Sequence, residues 1–411
     1  MSTVIVNSIK RNFYERVILE MLSKMNLGTL NITMPSGESI QIGGGNEIIA
    51  NIEISNNNFF RRCLLYGDIG FGESFVDGDW DTNNITDVIK WVILNIENAP
   101  TVSGNNTQSL VLNILKVFNK LVHFKRANSL SGSRKNISEH YDLNNDFFAL
   151  FLDPSMTYSS AYFKEEGISL QEAQEEKYDR LCKQLNLKAT DHVLEIGTGW
   201  GGNAIHIAKN YGCKVTTATI SEEQYKLAIQ RIEKEKLSDK ITVVLEDYRL
   251  LEGQFDKIVS IEMLEAVGHK FLDVYFKKCN DLLKKDGILA MQVITCPDSR
   301  YENILSEVDW IQKHIFPGSL LPSVAAINKA INNTGNLTLV DLKDIGLHYA
   351  KTLSIWRDQF NKNLTEVKKL KFDDHFIRKW NYYFSYCEAA FEMRNINVMQ
   401  MIYSRPNNTN R

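Results

Sequence analysis

The run Val193-Leu194-Glu195-Ile196-Gly197-Thr198-Gly199-Trp200-Gly201-Gly202 constrains this chain more than any other stretch. Apolar residues around one acid end in a string of glycines, and a segment with helical periodicity follows. The run therefore predicts a strand, a tight turn and the start of a helix, the opening unit of an α/β sheet. Gly197, Gly199 and Gly202 match the G-x-G-x-x-G spacing of dinucleotide sites. Glu195 speaks against a dinucleotide, because a carboxylate beside the turn repels a pyrophosphate, which needs bare N–H groups and a positive helix end. The same carboxylate suits a ligand carrying an amino group and a sulfonium, and glycines let the backbone approach it closely. A purely structural glycine turn is the remaining alternative.

The chain on either side supports a sheet. Strands are expected over 214–219, 241–245, 255–261 and 287–294, with helices over 203–211, 222–236 and 271–283. Alternation of this kind gives parallel strands with helices on both faces, and a ligand beyond their carboxyl ends. Residues 298–335 break the alternation as a helical insertion. Last strands fit 337–342 and 398–404, with helices over 354–361 and 373–394.

Ahead of this lies different material. Residues 1–27 have helical spacing, and 28–60 alternate apolar and polar residues between glycine-rich turns, a small β region. Gly67 to Trp80 mixes glycines with aromatics in a way that suggests packing rather than chemistry. Residues 98–138 contain no acid. Lys116, Lys120, Lys125 and Arg126 there accompany an apolar helical face, so the segment is either a docked helix with solvated lysines or a helix drawn to anionic headgroups. The domains expected are 1–125 (α+β, a candidate lipid-binding domain), 126–136 (a basic linker) and 137–411.

At 411 residues, two or three domains fit the prior of about 150 residues each. The net charge of −3 gives no reason to expect nucleic acid. Six scattered cysteines without a C-x-x-C pair favour reduced thiols over disulfides or zinc, so no metal is expected. There is no secretory signal, and no apolar run nears the ~18 residues of a membrane span. A cytoplasmic protein, soluble or peripheral at a membrane surface, is the expectation. The sequence is compatible with a homodimer.

Further motifs point one way. His140-Tyr141-Asp142-Leu143 and Leu152-Asp153-Pro154-Ser155-Met156-Thr157-Tyr158-Ser159-Ser160 open the second domain. Thr219-Ile220-Ser221-Glu222-Glu223-Gln224, Glu262-Met263-Leu264-Glu265-Ala266-Val267-Gly268-His269, His314-Ile315-Phe316-Pro317-Gly318 and His348-Tyr349-Ala350-Lys351 follow in order. The glycine turn itself resembles motif I of the class I methyltransferases. Together the motifs resemble the cyclopropane-fatty-acyl-phospholipid synthase family, which includes the mycolic acid cyclopropane synthases, over residues 137–405. The stretch 67–80 also resembles the extra N-terminal domain of the bacterial and plant phospholipid enzymes.

The resemblance implies an α/β fold: a Rossmann-like class I methyltransferase sheet with a helical insertion, preceded by a small α+β domain. It implies S-adenosylmethionine as methyl donor. Tyr158 and Ser159 would cover its methionine part. Glu195, Gly197 and Gly199 would lie beneath it, Thr219 and Gln224 on the ribose side, and Glu246 with Asp247 near the adenine. The reaction implied is methyl transfer to the cis double bond of an unsaturated phospholipid acyl chain at the membrane surface, closing a cyclopropane. A methyl-branched lipid, or methylation of a small-molecule amine, is the alternative.

Such chemistry needs an apolar pocket and aromatic faces or negative charge toward a developing cation. Tyr141, Phe147, Phe148, Tyr162, Phe163, Trp310 and Phe316 are candidates, though aromatic stripes also build plain cores. The resemblance makes the base a bound bicarbonate ion, ringed by Ser160, Glu265, Gln292, Ile294 and Tyr349, with Glu265 as its anchor. Ser160 and Gln292 depart from the usual Cys and His of that family. Both keep hydrogen-bonding capacity, but the change at 292 removes a titratable ring. His269 is a nearby titratable residue, equally at home on the surface.

Overall fold

The computed structural model describes residues 11–95 and 145–409. They fall into two units, residues 11–95 with 374–382, and residues 145–373 with 383–409. The basic segment with Lys116, Lys120, Lys125 and Arg126, the 126–136 linker and Tyr141 lie outside the described residues.

In the first unit, α1 (Phe13–Leu22) starts with a capping box. Asn12 accepts from the Glu15 N–H, and Glu15 reaches back to the Asn12 N–H. The alternating run becomes β1 (Thr29–Thr33), β2 (Ser39–Gly43) and β3 (Ile49–Ile54), and a short β4 (Trp80–Asp81) completes the order β2-β1-β3-β4. β1 runs antiparallel to β2 and parallel to β3. The glycine-aromatic stretch is helical, α2 (Asn58–Val76), broken at Gly67, where φ is 56° and ψ −130°. Gly70 permits a close approach, since a Cβ there would lie 2.1 Å from the carbonyl oxygen of Arg62. Trp80 is fully buried against Phe59, Phe71 and Phe75, and its indole N–H donates to the Phe71 carbonyl. α3 (Ile85–Leu94) closes the described part of this region.

The second unit carries the sheet. After α4 (Asn145–Ala149) and α5 (Leu170–Gln184) come β5 (His192–Ile196), α6 (Gly202–Tyr211), β6 (Lys214–Thr219), α7 (Glu222–Lys234), β7 (Ile241–Leu245) and β8 (Phe255–Ile261). α8 (Leu272–Leu282) and β9 (Leu283–Thr295) precede the helical insertion, α9 (Tyr301–Ser306), α10 (Trp310–His314) and α11 (Val324–Thr334). β10 (Thr338–Asp344), α12 (Gly346–Lys362), α13 (Leu364–Lys369), the part of α14 (Asp374–Glu392) from Tyr383 on, and β11 (Asn397–Ser404) complete it.

The strand order is β10-β11-β9-β8-β5-β6-β7. β5 to β9 are parallel, β11 runs antiparallel to β9, and β10, antiparallel to β11, returns to the direction of β5 to β9. Successive residues feed opposite cores. Val193, Val259 and Ala290 face Leu181 and Ile207, while Leu194, Ile258 and Leu289 face Tyr275 and Phe276. Burying each such side chain is worth about 1.5–3 kcal/mol, so a one-residue slip of register would expose a full row. The order turns in opposite directions from β5, toward β6-β7 and toward β8-β9. A crevice for a ligand therefore opens at the carboxyl ends of β5 and its neighbours.

Candidate active site

The carboxyl end of β5 delivers Glu195 to a buried position. Its Oε1 accepts from Asn203 Nδ2 at 2.8 Å and its Oε2 from Thr217 Oγ1 at 2.5 Å. Burial pushes the carboxyl up to about 7, against the opposing pull of Thr217, Asn203 and the Lys177 ammonium. The turn that follows is left-handed at Gly197 (φ 101°), Gly199 (φ 52°) and Gly201 (φ 86°), which glycine alone adopts freely. A Cβ built on Gly199 would meet nothing within 4 Å, so the loop has open room above it. At the end of β6, Thr219 Oγ1 donates to Gln224 Oε1 at 2.9 Å, and both residues are buried. The amide group of Gln224 keeps its N–H donors for a diol.

These groups fit S-adenosylmethionine: a buried acid for an ammonium, a glycine cradle and an amide for a ribose. Three residues expected at the cofactor have partners within the chain. The Ser159 hydroxyl accepts from Lys177 Nζ at 2.7 Å, and the Tyr158 hydroxyl pairs with that of Tyr383 at 2.9 Å. Asp247, expected near the adenine, is committed to Arg249, with Nη2 to Oδ2 at 2.6 Å. Glu246 sits half-buried just past β7.

The expected base pocket comes together, with different partners. Glu265 lies in a 3₁₀ turn after β8 and is buried. Its Oε1 accepts the backbone N–H of Ile294 at 2.5 Å, and its Oε2 is buried without a hydrogen-bond partner. Burial first, and the neighbouring Glu262 second, push this carboxyl up to about 8, so it holds a proton at neutral pH. The Ser160 hydroxyl donates to the Ala161 carbonyl at 3.0 Å, and the Ser160 N–H meets a carboxylate.

That carboxylate belongs to Glu262, to which the sequence assigned no role. Its Oε1 accepts from the Ser160 N–H at 2.9 Å and from Gln292 Nε2 at 2.7 Å, and Tyr349 lies close to the same side chain. Glu262 is half-buried and sits at φ 48°, a left-handed value rare for a side-chain-bearing residue. Burial outweighs the downward pull of Gln292, Lys177, Ser160 and Tyr349, so its carboxyl stands above the usual carboxylate range. Lys177 was also missed. It is fully buried and burial lowers its ammonium, with Glu262, Asp153 and Glu195 opposing. A signal for it existed: Ala173, Lys177 and Leu181 recur every four residues on the buried face of α5, so this lysine interrupts an inward stripe.

Of the aromatic candidates, Phe147, Phe148 and Trp310 are fully buried. Phe147 packs on Phe151 and Phe360, as core. Phe148 lies against Trp200 and Tyr158. Tyr162 meets the His348 ring at a tilt of 44°, and Phe163 lies parallel to the same ring at 6.4 Å. Phe316, half-buried, joins Phe148 in the Tyr158 group, which also contains Trp356 and Tyr383. Tyr349 meets Trp356 edge-on at 5.8 Å and Phe391 at 4.6 Å. Tyr349 thus links this group of aromatic rings to the Glu262 carboxyl. His269 is exposed and shares a 2.7 Å hydrogen bond with Tyr301.

The family model described as Mycolic acid cyclopropane synthetase matches residues 128–401. Tuberculostearic acid methyltransferase UfaA1 of Mycobacterium tuberculosis is 37% identical over 351 residues, covering 83% of this chain and 79% of its own. The cyclopropane-fatty-acyl-phospholipid synthase of Escherichia coli K12 is 36% identical over 357 residues, covering 87% and 88%. The structure of mycolic acid cyclopropane synthase CmaA1 complexed with SAH and CTAB matches with a TM-score of 0.62 at 30% identity, covering 66% of this chain and 98% of that one.

Proposed function

This chain belongs to the mycolic acid cyclopropane synthetase family and is an S-adenosylmethionine-dependent methyltransferase, and from that premise we propose that it methylates the cis double bond of unsaturated phospholipid acyl chains and closes a cyclopropane. S-Adenosylmethionine, when bound, supplies an electrophilic methyl group. The chain's own groups do the rest. Glu195 and the glycine turn hold the ammonium end, and Gln224 the ribose. Tyr158, Trp356 and Tyr349 present ring faces to the positive charge that develops on the acyl chain. The buried surroundings keep water from trapping that charge.

The single observation that carries this reading is the pairing of two carboxylates, Glu262 and Glu265, with an aromatic wall. Ring closure requires loss of one proton from the added methyl. The pocket offers two ways to take it: a bicarbonate ion held against Glu265, as the resemblance implies, or a carboxylate of the chain itself. Phospholipid is proposed as substrate because the phospholipid synthase of Escherichia coli aligns over 87% of this chain, the N-terminal region included. The similarity to a tuberculostearic acid methyltransferase favours a second product, a methyl branch.

Lipid mass spectrometry after expression in a host without cyclopropane lipids tests the proposal. Unsaturated phospholipids should gain one CH₂ equivalent and lose the double bond. A gain with the double bond retained as a methylene would favour the branch. Unchanged lipids beside a methylated amine would overturn the lipid reading.

A further inference from the structure

Two donors converge on one carboxylate at the carboxyl end of β8. The Ser160 N–H and Gln292 Nε2 both meet Glu262 Oε1, at 2.9 and 2.7 Å, and the Tyr349 hydroxyl lies close enough to feel the same side chain. The arrangement is fixed from behind. Gln400 Nε2 donates to Gln292 Oε1 at 3.0 Å, and Arg180 Nε donates to Gln400 Oε1 at 2.8 Å. Each amide is thereby turned so that its N–H points onward, and the chain from a guanidinium ends at Glu262. The backbone bends to allow this, since residue 262 adopts the left-handed φ that glycine prefers.

Ser160, Gln292 and Tyr349 are three of the five positions at which a bicarbonate ion is expected. A side-chain carboxylate and bicarbonate present the same planar O–C–O head, so one set of donors serves either. Here the chain fills the set itself. We infer that Glu262, in the place expected for a bicarbonate ion, is the base that takes the proton from the added methyl group. The inference rests on the methyl-transfer reading above. In this step a C–H bond of the added methyl breaks. Its electron pair forms the second ring bond to the electron-poor chain carbon, and the proton joins a Glu262 oxygen as a carboxyl O–H. Water removes that proton between turnovers. Glu265 has one N–H donor and a partnerless Oε2, whereas Glu262 has two N–H donors on one oxygen, so the geometry holds a negative charge better on Glu262.

The test compares the wild type, Glu262→Gly and Glu262→Gln in carbonate-depleted buffer, with bicarbonate then added back. Two readouts are used: turnover on unsaturated phospholipid vesicles, and binding of carbon-13-labelled bicarbonate by NMR. S-Adenosylhomocysteine calorimetry reports that each variant is folded. The wild type should turn over equally with and without bicarbonate and bind none of the label. Both variants should lose about 10²–10⁴-fold, the range for a general base. Glu262→Gly, with its carboxylate gone and its backbone relaxed, should bind labelled bicarbonate and recover activity with it. Label bound to the wild type, dependence of the wild type on bicarbonate, or full activity in a folded Glu262→Gln would each overturn the inference. A wild type that binds S-adenosylhomocysteine yet never alters lipid would instead count against the substrate reading, and the labelled-bicarbonate arm would still decide who fills the pocket.

Discussion

Gln292 and Gln400 stand directly opposite each other on β9 and β11, and the Gln400 amide donates to Gln292 Oε1 at 3.0 Å. Both are buried, so neither amide can turn to water. The pair sets which end of Gln292 faces Glu262. Gln400→Leu keeps the volume but releases Gln292. An unpaired buried polar group costs about 1–3 kcal/mol, so urea unfolding should shift by that much. Turnover should fall while S-adenosylhomocysteine affinity stays, because the glycine loop is untouched. Unchanged turnover would mean that Gln292 is oriented by Ser160 and Glu262 alone.

Glu195 should govern cofactor affinity. If its carboxylate meets an ammonium, Glu195→Gln removes a charge-assisted bond worth about 1.5–3 kcal/mol. The pH dependence has a definite sign. In the free protein burial holds this carboxyl up at about 7. Below that pH it is protonated and offers no charge, so binding should tighten from pH 6 to pH 8 in the wild type. Calorimetry of S-adenosylhomocysteine at the two pH values should show the trend and its absence in Glu195→Gln.

The parallel sheet was legible because its strands are short apolar runs cut by glycine and acid-rich helix starts, and 214–219, 241–245 and 255–261 match the observed bounds. α12 begins at Gly346 rather than near 354, since its first turns carry glycine, histidine and tyrosine, which propensity disfavours and packing on β11 overrides. α2 went unassigned for the same reason. Gly70 is a poor helix former, yet only it fits against Arg62. Glu265 was legible as an acid in a motif. Glu262 was not, because a carboxylate at the end of a strand normally turns to solvent, and the left-handed φ that folds it inward leaves no mark on the sequence.

Arg231 ties the cofactor loops together. Its Nη1 donates to the carbonyls of Ser155 at 2.7 Å and Trp200 at 2.9 Å, and its Nη2 to that of Pro154 at 3.2 Å. One guanidinium thus joins the 153–160 loop to the glycine turn. Arg231→Met should leave these carbonyls short of donors and raise the KM for S-adenosylmethionine more than it lowers kcat. Lys226→Ala, on the exposed side of the same helix, is the control and should change neither.

Membrane attachment should be peripheral and electrostatic. Among the described residues no helix is long and apolar enough to cross a membrane. An acyl double bond lies deep in a bilayer, so the protein has to dock on the surface to reach it. Lys116, Lys120, Lys125 and Arg126 each add about 1 kcal/mol near an anionic surface. Reversing all four to Glu should abolish sedimentation with anionic vesicles, and salt should weaken the wild type. Equal sedimentation of the two proteins would show that these four residues take no part in attachment.

Glu265 should make the ligand-free protein less stable as pH rises. Unfolded, its carboxyl titrates near the ordinary value of about 4.3. Folded, burial and the charge of Glu262 hold it up at about 8. Below both values each state carries the proton and nothing changes. Between them the unfolded chain has released a proton that the folded chain keeps, so each rise in pH favours unfolding. The limiting slope is about 1.4 kcal/mol per pH unit for one such group, and it ends above the folded value. Glu195 adds the same sign over a narrower window, up to about 7. Lys177 has the opposite sign, because burial lowers its ammonium to about 7 and above that pH the unfolded chain holds a proton that the folded chain has lost. Urea midpoints should therefore fall from pH 5.5 to pH 7. Glu265→Gln cannot titrate, keeps an oxygen for the Ile294 N–H, and should flatten that fall, leaving the part due to Glu195 and the raised Glu262. Parallel curves for wild type and Glu265→Gln would show that Glu265 is ionised in the folded protein. The charge in the pocket would then sit on both acids, and Glu262 would no longer be the one marked out to accept a proton.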